Sequence, residues 1–329
     1  MMQFLRHLLK LLEYYAGQIR YYGFSFVFKL FYTDVKIAYL QDVIYHKNKF
    51  EKQSEDEFSL YARRHDLIKS YLISKSKSDE KISLEKKKDN LTDPIWVCWW
   101  QGEDCMPELC KMCYESILKH SGHHPVILIT KENVRDYIEL PDFVLSKLNS
   151  GNFGFANFAD ILRVCLIAEY GGLWLDCTIY LTDNIDEKCF KREFSSFSFG
   201  EGHNNVFVSR FRWSTFFLGA HCDSDFFKDL EQMLLNYAKR ENFFIDYLVI
   251  DYFIDILMER ESYVSYLSYC DVNSELYSLQ PLLNRKYDEE LWSSLTNKAC
   301  VFKLSYKEKV SDDKGTFYSY MKNLANGLS

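Results

Sequence analysis

Residues 156–182 read ANFADILRVCLIAEYGGLWLDCTIYLT, and this stretch decides the fold. Ile161, Leu162, Cys165, Leu166 and Ala168 recur at helical spacing, and the Gly171-Gly172 pair falls where a helix C-terminus is expected. LWLD and CTIYLT then alternate as a strand interrupted at Asp176. Asp160 and Arg163 lie three apart, so a helix presents them on one face. In open α/β sheets ligands bind beyond the carboxyl ends of the strands, which directs Asp160, Arg163 and Asp176 to one cleft.

Working outward, Pro94–Trp100 (PIWVCWW) suits a buried first strand and QGED a turn, with a helix expected over Pro107–Lys119. PVILIT (Pro125–Thr130) supplies a second strand, and the right-handed crossover makes the two parallel. Further on, the pattern predicts a helix near Pro141–Leu148, a strand at Thr215–Ala220, helices at Asp225–Lys239 and Phe243–Glu259, and a strand in CVFKLSYK. The expected class is α/β.

Phe4, Leu8, Leu11, Leu12 and Tyr15 mark an amphipathic N-terminal helix with Arg6, Lys10 and Arg20 off the stripe. Two readings stand: a helix packed on the body, or one lying on a membrane surface. Residues 46–93 are rich in Lys, Glu, Ser and Asp and read as a solvated helix or linker, which puts a domain boundary near Asp93. Residues 1–93 then form a basic helical extension and residues 94–329 the catalytic unit.

The 329 residues include 50 Phe and Tyr against 5 Pro and 13 Gly, which excludes collagen-like and low-complexity chains. Net charge is −7, but residues 1–93 carry 17 Lys and Arg against 13 acids and the remainder 23 against 34. Nucleic acid is thus an unsuitable partner for the acidic body. A phosphate-bearing ligand there requires a cation or aimed basic groups. Ten Cys without a paired pattern, no signal sequence, and no apolar run of about 18 residues point to a reduced, cytoplasmic protein.

Judged on spacing alone, Asp160 and Arg163 are either ligand contacts or an intrahelical ion pair, and Asp176 either a metal ligand or a turn acid. In FFIDYLVIDYF, Asp246 and Asp251 interrupt an apolar run, and Asp246 is the favoured active-site acid. Lys303 and Lys307 are candidate diphosphate clamps, with solvated lysines the alternative. Asp223-Ser224-Asp225 reads as a helix cap rather than a metal motif. Cys98, Cys105, Cys110 and Cys113, near His120, His123 and His124, invite zinc, but the tight Cys110–Cys113 spacing falls inside a predicted helix. Phosphate loops, nucleophile elbows and dinucleotide fingerprints do not occur.

FADILRVCLIAEYGGLWLDCTIYLT (158–182) resembles the central motif of the capsular polysaccharide synthesis protein family. That family is a bacterial branch of the glycosyltransferases with the DXD sugar-binding region, which also includes initiation-specific mannosyltransferases. IWVCWWQGEDCMPELCKMCYES (95–116) resembles its opening strand and loop, VFKLSYK (301–307) its closing element, and the likeness spans Pro94 to Tyr320. The resemblance implies a GT-A, Rossmann-like domain transferring a hexose, with a retaining outcome. The donor would be a nucleotide-diphosphate sugar, UDP-linked for preference, and the acceptor a lipid-linked oligosaccharide or surface polysaccharide at the inner face of the membrane. It makes Asp160 and Arg163 donor-sugar contacts and Asp176 the first DXD acid, a ligand of Mn²⁺ or Mg²⁺. The donor-binding set is completed by Trp100, Gln101, Gly102, Gly172, Thr178, Lys303 and Lys307, and the catalytic set is Asp176 with Asp246. Thr178 stands where the motif has its second acid, which weakens metal binding and keeps a non-catalytic glycan-binding scaffold as the rival reading.

Overall fold

Gly23, at φ 82°, folds the N-terminal apolar pattern into a hairpin of α1 (Met2–Tyr22) and α2 (Phe24–Tyr39), which runs on into a π-helical turn at Leu40–Tyr45. The computed structural model describes residues 2–46, 52–77, 81–88, 91–200, 205–311 and 313–327. Helix α3 (Glu55–Ser76) starts at a capping box in which Ser54 and Glu57 satisfy each other's backbone N–H groups. The charged run 75–90, expected as linker or solvated helix, lies partly outside the described residues. Its described part contributes β1 (Glu85–Lys86).

The strands and helices that follow come in βα order. They are β2 (Ile95–Cys98), α4 (Glu108–Lys119), β3 (Val126–Ile129), β4 (Ile138–Glu139), α5 (Asp142–Asn149), α6 (Phe155–Tyr170) and β5 (Gly172–Leu175). Beyond these lie β6 (Ile179–Leu181), β7 (Phe197–Ser198), β8 (Phe217–Ala220), α7 (Asp225–Arg240) and α8 (Val249–Met258). The chain ends with β9 (Asp271–Val272), α9 (Glu289–Thr296), β10 (Val301–Lys303) and α10 (Phe317–Ala325).

The central sheet has the order β3-β2-β5-β8. β2 runs parallel to β3 and β5, with Trp96 opposite Trp174, and β8 closes the edge antiparallel. The fold is therefore mixed α/β with a mixed sheet, as the α/β expectation requires. β6 leaves this sheet and pairs antiparallel with β10, putting Lys303 opposite Ile179.

The boundary expected near Asp93 does not separate two cores. Tyr15, Tyr22, Leu30, Ile68 and Leu72 share one continuous apolar cluster with Trp96, Ile161, Leu166, Leu230 and Phe253. Burying Ile68 and Leu72 completely contributes about 2 kcal/mol each. Polar contacts reinforce this packing: Arg64 of α3 pairs with Asp34 at 3.0 Å and Asp246 at 2.8 Å, and His65 shares a 2.8 Å hydrogen bond with Tyr252. The Lys and Glu content that suggests a linker lies mostly outside α3, at residues 47–52 and 77–88, while α3 itself buries Tyr61, Ile68 and Leu72.

Gly171 and Gly172 join α6 to β5 with φ 68° and 89°. A Cβ on Gly172 would lie 2.1 Å from the Pro94 carbonyl oxygen, and one on Gly171 2.4 Å from the Cys222 nitrogen. Backbone on either side cannot yield, so a side chain here strains both conformation and sheet. Gly172→Ala is expected to cost about 3 kcal/mol or more, seen as a lowered denaturation midpoint or loss of the folded protein. Unchanged melting would contradict the close approach.

Candidate functional site

The carboxyl ends of β2 and β5, the first turn of α6 and the residues following β10 enclose a cavity of about 810 Å³. Trp99, Trp100, Phe158, Tyr247, Tyr277 and Tyr306 supply aromatic wall; among the described residues Asp176 is its one acid, and Lys303 and Lys307 are its two basic residues. This size and this mix of aromatic surface with a few charged groups suit a small polar ligand with a planar moiety.

Asp176 sits immediately after β5. Its Oδ1 accepts from Trp174 Nε1 at 3.0 Å and Arg163 Nη2 at 3.3 Å, while its Oδ2 accepts from Lys303 Nζ at 3.1 Å. Burial works against the charge, yet Lys303 and then Arg163 outweigh it and hold the carboxyl at about 2. Lys303 Nζ also donates to Thr178 Oγ1, so one ammonium joins both outer positions of Asp176-Cys177-Thr178. The β6–β10 ladder makes this possible, because Leu304 N donates to the Thr178 carbonyl at 2.9 Å.

Asp160 and Arg163 do share a face of α6, with Arg163 Nη1 at 3.4 Å from Asp160 Oδ1. Both are buried behind the cavity wall; Arg163 reaches it through Asp176, and Asp160 through Arg163. Arg163 also donates to the Thr215 carbonyl at 2.6 Å and lies 5.1 Å from the centre of the Trp174 ring. Its Nε is buried without a partner. Burial raises the Asp160 carboxyl to about 7; Arg163 opposes the shift, and Asp251 and Asp176 add to it.

Trp100, Gln101, Thr178, Lys303 and Lys307 line the cavity alongside Asp176. Gly102 does not; at φ 91° it closes the turn after β2, its N–H donating to the Trp99 carbonyl. Gly172 is a correction. It lies at the amino end of β5, four residues and roughly 13 Å of strand from Asp176, and the Pro94 contact accounts for it.

Asp246 is a second correction. Its carboxylate is held by Arg64, and its Oδ1 accepts from Leu248 N at 2.9 Å, so the helix expected from Phe243 begins only at Val249. Neighbouring Tyr247 is the residue on the cavity wall. The buried acid of this segment is Asp251, which accepts from Trp213 Nε1 at 2.8 Å. Its burial, opposed mainly by that bond, raises its carboxyl to about 7.

The remaining motifs resolve simply. Ser224 caps α7 by accepting from Phe227 N, as its sequence setting implies. Cys110 and Cys113 are buried within α4. Among the described residues, the group of His and acid side chains that does converge is His123, His124 and Glu187, at the amino end of β3 and remote from the cavity.

Among the described residues, Asp176 is the one carboxylate the cavity presents to Mn²⁺ or Mg²⁺. Such ions take about six oxygen ligands and favour carboxylates. Here one carboxylate is available, and cations already occupy both of its oxygens.

Fold and cavity together define an α/β protein with a charged pocket at the ends of parallel strands. The chain belongs to the capsular polysaccharide synthesis protein family, whose model matches residues 48–324. The match takes in α3, in keeping with the shared core. Comparison with curated proteins finds no match. Among solved structures, the chain is similar to one titled PaToxG Glycosyltransferase, at 11% identity and a TM-score of 0.39, over 75% of this chain and 99% of that one.

The raised Asp251 carboxyl sets a pH dependence. Below about pH 4 both folded and unfolded chains hold this proton; as pH climbs toward 7 the unfolded chain releases it first, so stability falls. Asp251→Asn keeps an oxygen for Trp213 and removes the loss. Its stability relative to the parent should rise between pH 5 and pH 8, by a few kcal/mol at most. Denaturation curves at the two pH values test this, and a constant difference would contradict it.

Proposed function

We propose that this protein is a GT-A type glycosyltransferase that moves a hexose from a nucleotide-diphosphate sugar to a hydroxyl of a surface-polysaccharide or lipid-linked oligosaccharide acceptor. The observation that carries the reading is the aromatic cavity, with Asp176 and two lysines, at the carboxyl ends of β2 and β5. The family supports it, since capsule synthesis requires sugar transfer.

In this reading the base packs on the Trp99, Trp100 and Tyr306 side, and UDP is the preferred nucleotide. Lys303 and Lys307 face the diphosphate. Asp176, oriented by Arg163 and Trp174, accepts hydrogen bonds from donor hydroxyls, with Asp160 setting the position of Arg163. The bond from the anomeric carbon to the diphosphate oxygen breaks with its electron pair on that oxygen. The acceptor hydroxyl oxygen forms the new bond, and its proton leaves on the released diphosphate. Charge grows on the diphosphate as this happens, so preorganised cations there lower the barrier. Retention at the anomeric carbon is the expected stereochemical course.

A panel of UDP- and GDP-sugars, incubated with the purified protein, tests the donor class through slow release of nucleoside diphosphate. One donor should be cleaved, and Asp176→Asn should lower the rate by about 10²-fold or more. Binding of glycan with no donor turned over or bound would favour the non-catalytic scaffold.

The N-terminal hairpin supports a location on the inner membrane face. Leu5, Leu9, Leu12 and Ile19 of α1 and Phe24 and Phe28 of α2 are exposed. Residues 2–46 carry five Lys and Arg against three acids. Asp34 pairs with Arg64 and Asp42 is buried against Gln3 and His7, which leaves the outward charge basic. An apolar face with a basic margin fits an anionic bilayer. Among the described residues no helix is long and apolar enough to cross a membrane. The protein should sediment with phosphatidylglycerol vesicles and not with phosphatidylcholine vesicles, and Leu9→Glu with Phe28→Glu should abolish this. A stable dimer that ignores both vesicle types would assign the face to a second copy instead.

A further inference from the structure

We infer that the ammonium of Lys303 takes the place of the divalent cation in donor binding, so that this protein holds a nucleoside diphosphate without metal. The inference rests on the donor-site reading above and concerns how that site neutralises its ligand.

Three observations converge. The first is substitution within the motif: Thr178, a neutral hydroxyl, stands two residues after Asp176. The second is position. Lys303 Nζ bonds to Asp176 Oδ2 at 3.1 Å and to Thr178 Oγ1, so a positive charge already sits between the two side chains that a metal would join. Two of the three ammonium protons are thereby used, and the third is left for the cavity that Lys303 lines. The third is the charge balance. Among the described residues Asp176 is the one acid on the wall, and Arg163 approaches its other oxygen at 3.3 Å. A divalent ion entering here would meet two cations and one carboxylate already committed to both. A diphosphate entering the same space meets an ammonium with a free proton and no unpaired acid.

The fold fixes this lysine as firmly as a ligand needs. Lys303 is the last residue of β10, opposite Ile179 in the ladder, and Leu276 carbonyl accepts from its backbone N–H. The Phe216 ring covers its ammonium at 4.9 Å. That packing limits water around the charge and strengthens it toward an anion. Lys307, exposed four residues on, adds a second ammonium at the mouth.

This explains how an acidic body accepts a phosphate-bearing ligand: the pocket itself is basic. It also makes Thr178 a suitable replacement for an acid, because a carboxylate there would hold Lys303 more tightly and offset the charge meant for the ligand.

Titration calorimetry with UDP and GDP, each in excess EDTA and in millimolar Mn²⁺, tests the inference on the unmodified chain. One nucleotide should bind with affinities that agree within about twofold in the two buffers. Lys303→Met should weaken it by about tenfold or more in EDTA, and Lys303→Arg should restore part of the loss. Binding of the corresponding nucleoside, which has no phosphate, should be unmoved by either variant. Thr178→Asp combined with Lys303→Met should make diphosphate binding depend on Mn²⁺. Binding seen only with Mn²⁺ would overturn the inference while leaving the donor site standing. Failure of every nucleoside diphosphate to bind in either buffer would overturn the donor-site reading along with it. The EDTA comparison needs no variant and so survives any folding defect in Lys303→Met.

Discussion

A single carboxylate, Asp176, is held between two cations that reach it from different parts of the chain. Arg163 comes from the helix before it, and Lys303 from a strand 127 residues later. Both cations favour the charged carboxylate against the partial burial of Asp176. The elements around it serve to deliver these groups. The glycine pair swings β5 back under Pro94, β5 presents Asp176 at its carboxyl end, and the β6–β10 ladder carries Lys303 across to it.

Behind this centre lies a graded series of acids. Asp176 stays charged because cations touch it on both oxygens. Asp160, three residues from Arg163, and Asp251, bonded to an indole, are pushed upward by burial. Charge at the cavity wall is thereby positive even though the whole body is acidic, and Lys303 and Lys307 face the open space. The helical N-terminal region belongs to the same structure. Arg64 ties α3 to both the hairpin and the loop that carries Tyr247 onto the cavity wall, so the hairpin's position and the cavity's shape are mechanically joined.

Much of this is legible in the sequence where the signal is local. The βαβ opening, the Asp160–Arg163 face, the turn at Asp176 and the Ser224 cap follow from periodicity and spacing within a few residues. Lys303 can be nominated as a phosphate ligand, but its bonds to Asp176 and Thr178 depend on a strand pairing between residues 120 or more apart, for which spacing gives no measure. The surroundings of Asp246 and Asp251 are hidden from spacing for a similar reason. An apolar run hides where its helix starts, and the partner that claims Asp246 is an arginine 182 residues earlier. Gly172 is attractive as a ligand-side glycine beside a motif, yet what requires it is the backbone of Pro94. Composition places a boundary near Asp93 because the charged run precedes it, whereas the apolar residues of α3 join a cluster that continues beyond it.

A crystal structure with the bound nucleoside diphosphate, grown in Mn²⁺ and measured at the manganese absorption edge, tests the central claim most directly. The account predicts diphosphate oxygens within hydrogen-bonding distance of Lys303 Nζ, aromatic contact to the base along the Trp99 side, and no anomalous peak at Asp176. A manganese peak bridging Asp176 and the diphosphate, with Lys303 turned away, would contradict the substitution of lysine for metal. A nucleotide bound outside this cavity would contradict the site itself.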